Sequence, residues 1–155
     1  MLKIAALREE TQELEEAVAV YGNLMAKYPD TKEAETAAYL QARARMTLCR
    51  RLAYNRPRCL DSANYIKMIL SRTPPHPNAD EMDGWRRELL THLSDEAWAS
   101  TKFYDSRQRT ARAAISAYER FIAEHPESAH ADEARRRIEE IRADAIARQN
   151  KETNQ

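Results

Sequence analysis

The side chains of this chain best suited to catalysis or metal binding are four histidines and two cysteines. His125 and His130 stand five positions apart, with Asp132 and Glu133 just beyond, and histidine with carboxylate is a set that can ligate zinc. The internal repeat set out below argues against that role. It puts Tyr28 or Thr73 where His125 stands, and Glu33 or Asn78 where His130 stands. Ligand chemistry is not kept between copies, so both histidines are read as solvated or packing residues, with no metal. Cys49 and Cys59 are too few for a disulfide framework, and neither has a second Cys or a His nearby. They are expected as two separate thiols packed as small apolar groups, although one disulfide is allowed. There is no glycine-rich phosphate loop, and no Ser/His/Asp or Cys/His set has motif context. No catalytic residue, metal or cofactor is expected, and the chain is read as a non-enzyme.

The denser chemistry is cationic. The segment 41–58 holds Arg43, Arg45, Arg50, Arg51, Arg56 and Arg58 and no acidic residue. Arg43 and Arg50 are two helical turns apart on one face, and Arg51 lies beside Arg50. One reading is a docking patch for an acidic peptide, a partner's acidic loop or lipid headgroups. The other, preferred, is internal pairing with Glu9, Glu10, Glu13, Glu15 and Glu16 on the first helix; such pairs are worth little each when exposed. Arg43, Arg50 and Arg51, with Arg107 and Arg109 in a later Arg-rich turn, are the candidate partner contacts. Arg135, Arg136 and Arg137 are read as a solvated face. Basic and acidic residues balance at 25 each, which removes any whole-chain electrostatic case for nucleic acid or membrane.

These side chains must be held by helices. Two glycines and six prolines beside abundant Ala, Glu and Arg make an all-helical composition. One segment is stated three times. Residues 17–34 (AVAVYGNLMAKYPDTKEA) align without a gap on 114–131 (AISAYERFIAEHPESAHA) at an offset of 97, and a weaker copy occupies 62–79. Pro29, Pro74 and Pro126 coincide. Tyr21, Ile66 and Tyr118 stand eight positions before them, and Ala34, Ala79 and Ala131 five after. A recurring unit of helix, proline turn and helix predicts an all-α fold, an α-α superhelix or solenoid, and solenoids mostly present binding surfaces.

About six helices are expected: 2–27, 32–54, 58–72, 78–105, 110–124 and 129–148. They form one repeat domain over 1–148, with units at about 2–54, 58–105 and 110–148, and a polar, disordered tail over 149–155. The first helix carries Ile4, Leu7, Leu14, Val18, Tyr21, Met25 and Tyr28 at heptad-like spacing broken at Thr11, a pattern that also allows a coiled coil and a homo-oligomeric scaffold. In the fourth, Met82, Trp85, Leu89, Leu93, Ala97 and Tyr104 form one stripe, with Leu90, Trp98 and Phe103 off it. Trp85 and Tyr118 are assigned to the core. Thr31 and Ser128 are expected helix caps. The start, MLKIAALREE, is charged too soon for a signal peptide and reads as helix.

These residues resemble tetratricopeptide repeats, in which Tyr, Ala and a closing Pro hold comparable positions, although the spacing is longer than the usual unit. Within that class, AYERFIAEHPESAHADEA (117–134) is similar to the units of BamD-type outer-membrane assembly lipoproteins, as is a long charged helix ending in AWASTKFYD, an Arg-rich turn and ARAAISAY. The resemblance covers about 17–142. It implies a non-catalytic scaffold in outer-membrane β-barrel protein assembly, with a β-barrel insertase and accessory lipoproteins as partners. Its place would be the periplasmic face of the bacterial outer membrane if the native protein carries a lipoprotein signal, and otherwise the cytoplasm. Two departures stand: no lipobox cysteine lies near the start, and three units are present where the family has about five. The CpoB-like envelope adaptors share the proline-acidic-Ser/Thr signature and imply the alternative of a general periplasmic adaptor.

Overall fold

The computed structural model describes residues 1–107 and 110–153, and among these there is no strand. The fold is all-α, of the α-α superhelix class, with neighbouring helices packed in pairs. Seven helices, not six, lie among the described residues: α1 (Leu2–Glu10), α2 (Leu14–Lys27), α3 (Lys32–Arg51), α4 (Arg56–Leu70), α5 (Ala79–Arg107), α6 (Ala111–Glu124) and α7 (Ala131–Thr153).

The extra helix arises where the expected first helix breaks. Gln12 adopts φ 64°, its amide donates to Glu9 O, and the Glu13 amide donates back to Arg8 O at 2.8 Å. This is the paired bonding of a left-handed helix stop, with glutamine where glycine is usual. The Thr11 hydroxyl bonds Leu7 O at 3.1 Å, and Arg8 pairs with Glu13 across the break. With the axis broken, α1 folds back on α2 and buries Ala5 and Ala17. The heptad pattern therefore does not run along one helix, which removes the continuous coiled coil. Ile4 and Leu7, expected on the packed stripe, are 55% and 58% exposed.

The repeat is visible in the backbone. The prolines Pro29, Pro74 and Pro126 fall in the turns α2–α3, α4–α5 and α6–α7. Tyr28 (φ −137°, ψ 60°) ends α2 and His125 (φ −132°, ψ 58°) ends α6 in the same conformation. After each proline the amides of Ala34, Ala79 and Ala131 donate to the carbonyl three residues back, at 3.0 Å in every copy. Thr31 caps α3 as expected, accepting from the Ala34 amide at 3.2 Å; Ser128 Oγ accepts from the His130 amide at 3.2 Å. Tyr21, Ile66 and Tyr118 are all buried. Asn55 caps α4 and places Pro57 in its first turn, where the missing N–H has no helical partner to lose.

The chain divides into two compact units, Met1–Leu93 and Ser94–Gln155. In the first, one cluster joins Ala5, Ala17, Tyr21, Leu24, Ala34 and Ala37. A larger one joins Met46, Cys49, Cys59, Ile66, Ile69, Met82 and Leu89. Both cysteines are thiols buried in this core, and Cys49 Sγ lies 3.5 Å from Ser62 Oγ. Alanines at 34, 37, 38, 42 and 44 let α3 approach its neighbours closely. In the second unit Trp98, Ala114, Tyr118, Phe121, Ala134, Ile138 and Ile141 form the core. Two assignments on α5 are corrected. Trp98, expected off the stripe, is buried, while Tyr104, expected on it, is 52% exposed beside Phe103. Along α5 the buried positions are 82, 89 and 93 in the first unit and 94, 98 and 101 in the second. Trp85 is half-buried against the first unit's core. α7 runs to Thr153, so helix continues over the first residues of the expected tail.

Candidate interaction surface

The basic run folds into α3, the turn after it and the start of α4, and its charges meet carboxylates from four helices. Arg43 Nη2 donates to Glu9 Oε2 of α1 at 2.8 Å. Arg58 Nη2 lies 2.6 Å from Glu15 of α2. Arg50 holds Glu88 of α5 with two bonds, from Nε at 3.0 Å and Nη2 at 2.7 Å, the fork geometry that suits guanidinium to carboxylate. Arg45 pairs with Asp61 of α4 and lies 4.7 Å over the Tyr65 ring. Arg51 Nη2 donates to Gln12 at 3.1 Å. The expected pairing with the acid-rich first helix thus occurs at Glu9 and Glu15, and α5 supplies a further acceptor. The Arg43 and Arg50 side chains keep about half their surface, 46% and 50%, in solvent. Arg109, and the side chain of Arg107, lie outside the described residues.

Two features of this surface were not legible in the sequence. After α3, Ala53 and Tyr54 both take positive φ, 48° and 56°, a conformation costing about 1–2 kcal/mol for a residue with a Cβ. The bend carries Tyr54 onto α5. Its hydroxyl donates to Glu88 at 2.8 Å and its ring stacks on His92 at 3.6 Å. The Arg50 bonds, then burial working against them and the Tyr54 bond, leave the Glu88 pKa below the usual carboxylate range. The second feature is Tyr39. It stacks on Trp85 and His76 and donates to Glu81 at 3.0 Å, joining α3 to the start of α5.

In the second unit, Asp105 accepts from Tyr118 Oη and from Arg137 Nε, each at 2.9 Å. Arg137, expected on a solvated face, is therefore a tie between α7 and α5. His130 bonds Asp95 at 3.1 Å and stacks flat on Trp98, and His125 packs against Phe121. The two histidines face different partners. Among the described residues no group of three or more His, Cys, Asp or Glu is arranged to hold a metal ion, and no helix is long and apolar enough to cross a membrane. What the surface offers is paired charge and half-exposed aromatic rings.

A family model described as YfiO, outer membrane lipoprotein, matches residues 2–155. The chain belongs to that family. Comparison with curated proteins gave no match.

Proposed function

We propose that this member of the outer membrane lipoprotein family is a non-catalytic scaffold for protein–protein interaction in outer-membrane β-barrel protein assembly. The observation that carries the reading is the family match, which spans all three copies of the repeat. Packed helix pairs of this kind form rigid surfaces whose selectivity lies in their side chains. The site of action is the periplasmic face of the outer membrane, with attachment through a lipid anchor on the native protein. The partners are a β-barrel insertase and accessory lipoproteins. Arg43, Arg50 and Arg51, with Arg107 and Arg109, are the proposed contacts for a partner's acidic loop.

The test is affinity capture of the full native protein from detergent-solubilised envelopes, read by mass spectrometry. Recovery of an outer-membrane barrel insertase supports the assembly role, and charge reversal at Arg51 should reduce that recovery without loss of helicity. Recovery of soluble or division-associated partners alone overturns it and leaves a general envelope adaptor.

A further inference from the structure

Near its end, α5 leaves a pair of aromatic rings in solvent. Phe103 and Tyr104 are adjacent, and each keeps 52% of its surface exposed. The two rings meet edge to face with centroids 5.9 Å apart. Neither is part of the second unit's core, which is built around Trp98, Tyr118 and Phe121. A lone exposed apolar side chain is ordinary, but two large neighbouring rings make a contiguous patch, and such patches mark interaction surfaces.

The charge around the pair has one dominant sign, although the chain as a whole is neutral. From 102 to 112 the sequence holds Lys102, Arg107, Arg109 and Arg112 against a single acid, Asp105. That acid is already bonded to Tyr118 and Arg137. Lys102 is exposed beside Phe103 and lies 3.8 Å from Glu133, a contact worth little in water. Arg112 is exposed in the first turn of α6, a turn without an acidic residue.

We propose that Phe103 and Tyr104, flanked by Lys102 and Arg112, rest on a phospholipid surface that carries anionic headgroups. Aromatic side chains favour the membrane–water interface, where the Tyr104 hydroxyl stays hydrated while both rings leave water. Basic residues beside them are drawn to anionic lipid. A protein partner would need a pocket shaped to both rings and an acid placed for each cation; a lipid surface needs only apolar depth and negative charge. Membership of an outer membrane lipoprotein family also favours lipid as the occupant. The contact lies on the membrane and not across it, since no described helix is long and apolar enough to span one. It goes beyond the assembly role, because it assigns the surface on which the chain rests, whichever protein the chain holds.

The test is flotation of the full chain with vesicles, read as the fraction of protein that rises with the lipid. Vesicles of phosphatidylethanolamine and phosphatidylglycerol should carry the chain, and vesicles of phosphatidylcholine should carry at least about fivefold less. Added salt should weaken the binding. Phe103→Ser combined with Tyr104→Ser should lower partitioning by about tenfold to thirtyfold. Arg112→Gln should lower it by about fivefold, and decides the matter if the double variant loses helicity by circular dichroism. Arg87→Gln makes the same charge change on an exposed side chain of the first unit and should leave partitioning unchanged. The proposal is overturned if anionic vesicles carry no more protein than neutral ones, or if the aromatic and Arg112 variants float like the unaltered chain.

Discussion

Tyr118 reaches back thirteen residues to donate its hydroxyl proton to Asp105 at 2.9 Å. Arg137 donates to the same carboxylate oxygen, so one aspartate joins α5, α6 and α7. The first copy has a related tie: Tyr21 donates to Glu9 Oε1 at 2.6 Å and Arg43 to Oε2 at 2.8 Å, joining α1, α2 and α3. In the middle copy Ile66 takes the tyrosine position and is fully buried, with no hydroxyl to place. The two outer copies are thus tied by a buried phenol and a shared carboxylate, while the middle one has an apolar side chain at that position.

Removing the Tyr118 hydroxyl tests the tie directly. Tyr118→Phe should destabilise by about 1.5–3 kcal/mol, the range for a hydrogen bond to a charged group. Tyr118→Ala should cost about 3–5 kcal/mol, because a cavity is added. Urea unfolding followed by helical circular dichroism measures both. An unchanged midpoint for Tyr118→Ala would mean that the repeat register is wrong.

Alkaline pH reads the same group. Burial first, and then the bond to Asp105, push the Tyr118 pKa up to about 12 from its ordinary 10.0. The folded state therefore holds this proton more tightly than the unfolded state. Its contribution is fully present below pH 10.0 and is lost as pH rises through about 12. Tyrosinate absorbance should develop in two stages, with the Tyr118 share appearing late, and Tyr118→Phe should remove that share.

Acid acts on a different residue. Glu88, bonded by Arg50 and Tyr54, is held below the usual 4.5. Its stabilisation is present above pH 4.5 and fades as pH falls through the lowered value. Glu88→Gln should flatten this part of the acid limb of a stability–pH profile. The pair is half in solvent, so a double-mutant cycle with Arg50→Ala should give a coupling of no more than about 1 kcal/mol at neutral pH.

The bend after α3 makes an opposite-sign prediction. Ala53 sits at φ 48°, one residue past the helix cap, where a Cβ is unfavourable. Ala53→Gly should stabilise by about 0.5–1 kcal/mol, while Ala53→Val should destabilise. Thermal melts of the two variants should move in opposite directions.

Much of this molecule was legible because its signals are local. Proline at 29, 74 and 126 stops a helix wherever it is met, and Thr31 needs only its own next turn to act as a cap. Composition pointed to helix, and the repeat singled out Tyr21, Ile66 and Tyr118 as equivalent positions, which the fold buries. The helix stop at Gln12 was not readable, since glutamine carries no intrinsic preference for positive φ. It is held by the two backbone bonds of the stop and the Arg8–Glu13 pair. The same holds for Ala53 and Tyr54, where the ring's contacts with Glu88 and His92 lie more than thirty residues away.

The arginine run separates the two kinds of information. Periodicity alone determined that Arg43 and Arg50 share a helix face, and charge alone determined that they seek carboxylates. Which carboxylates they find was decided by tertiary structure: Glu9 follows from the fold-back of α1, and Glu88 from the position of α5. Helical propensity and turns are properties of neighbouring residues and survive in the linear sequence; ion-pair partners and grooves are properties of packed surfaces and exist only once the chain has folded.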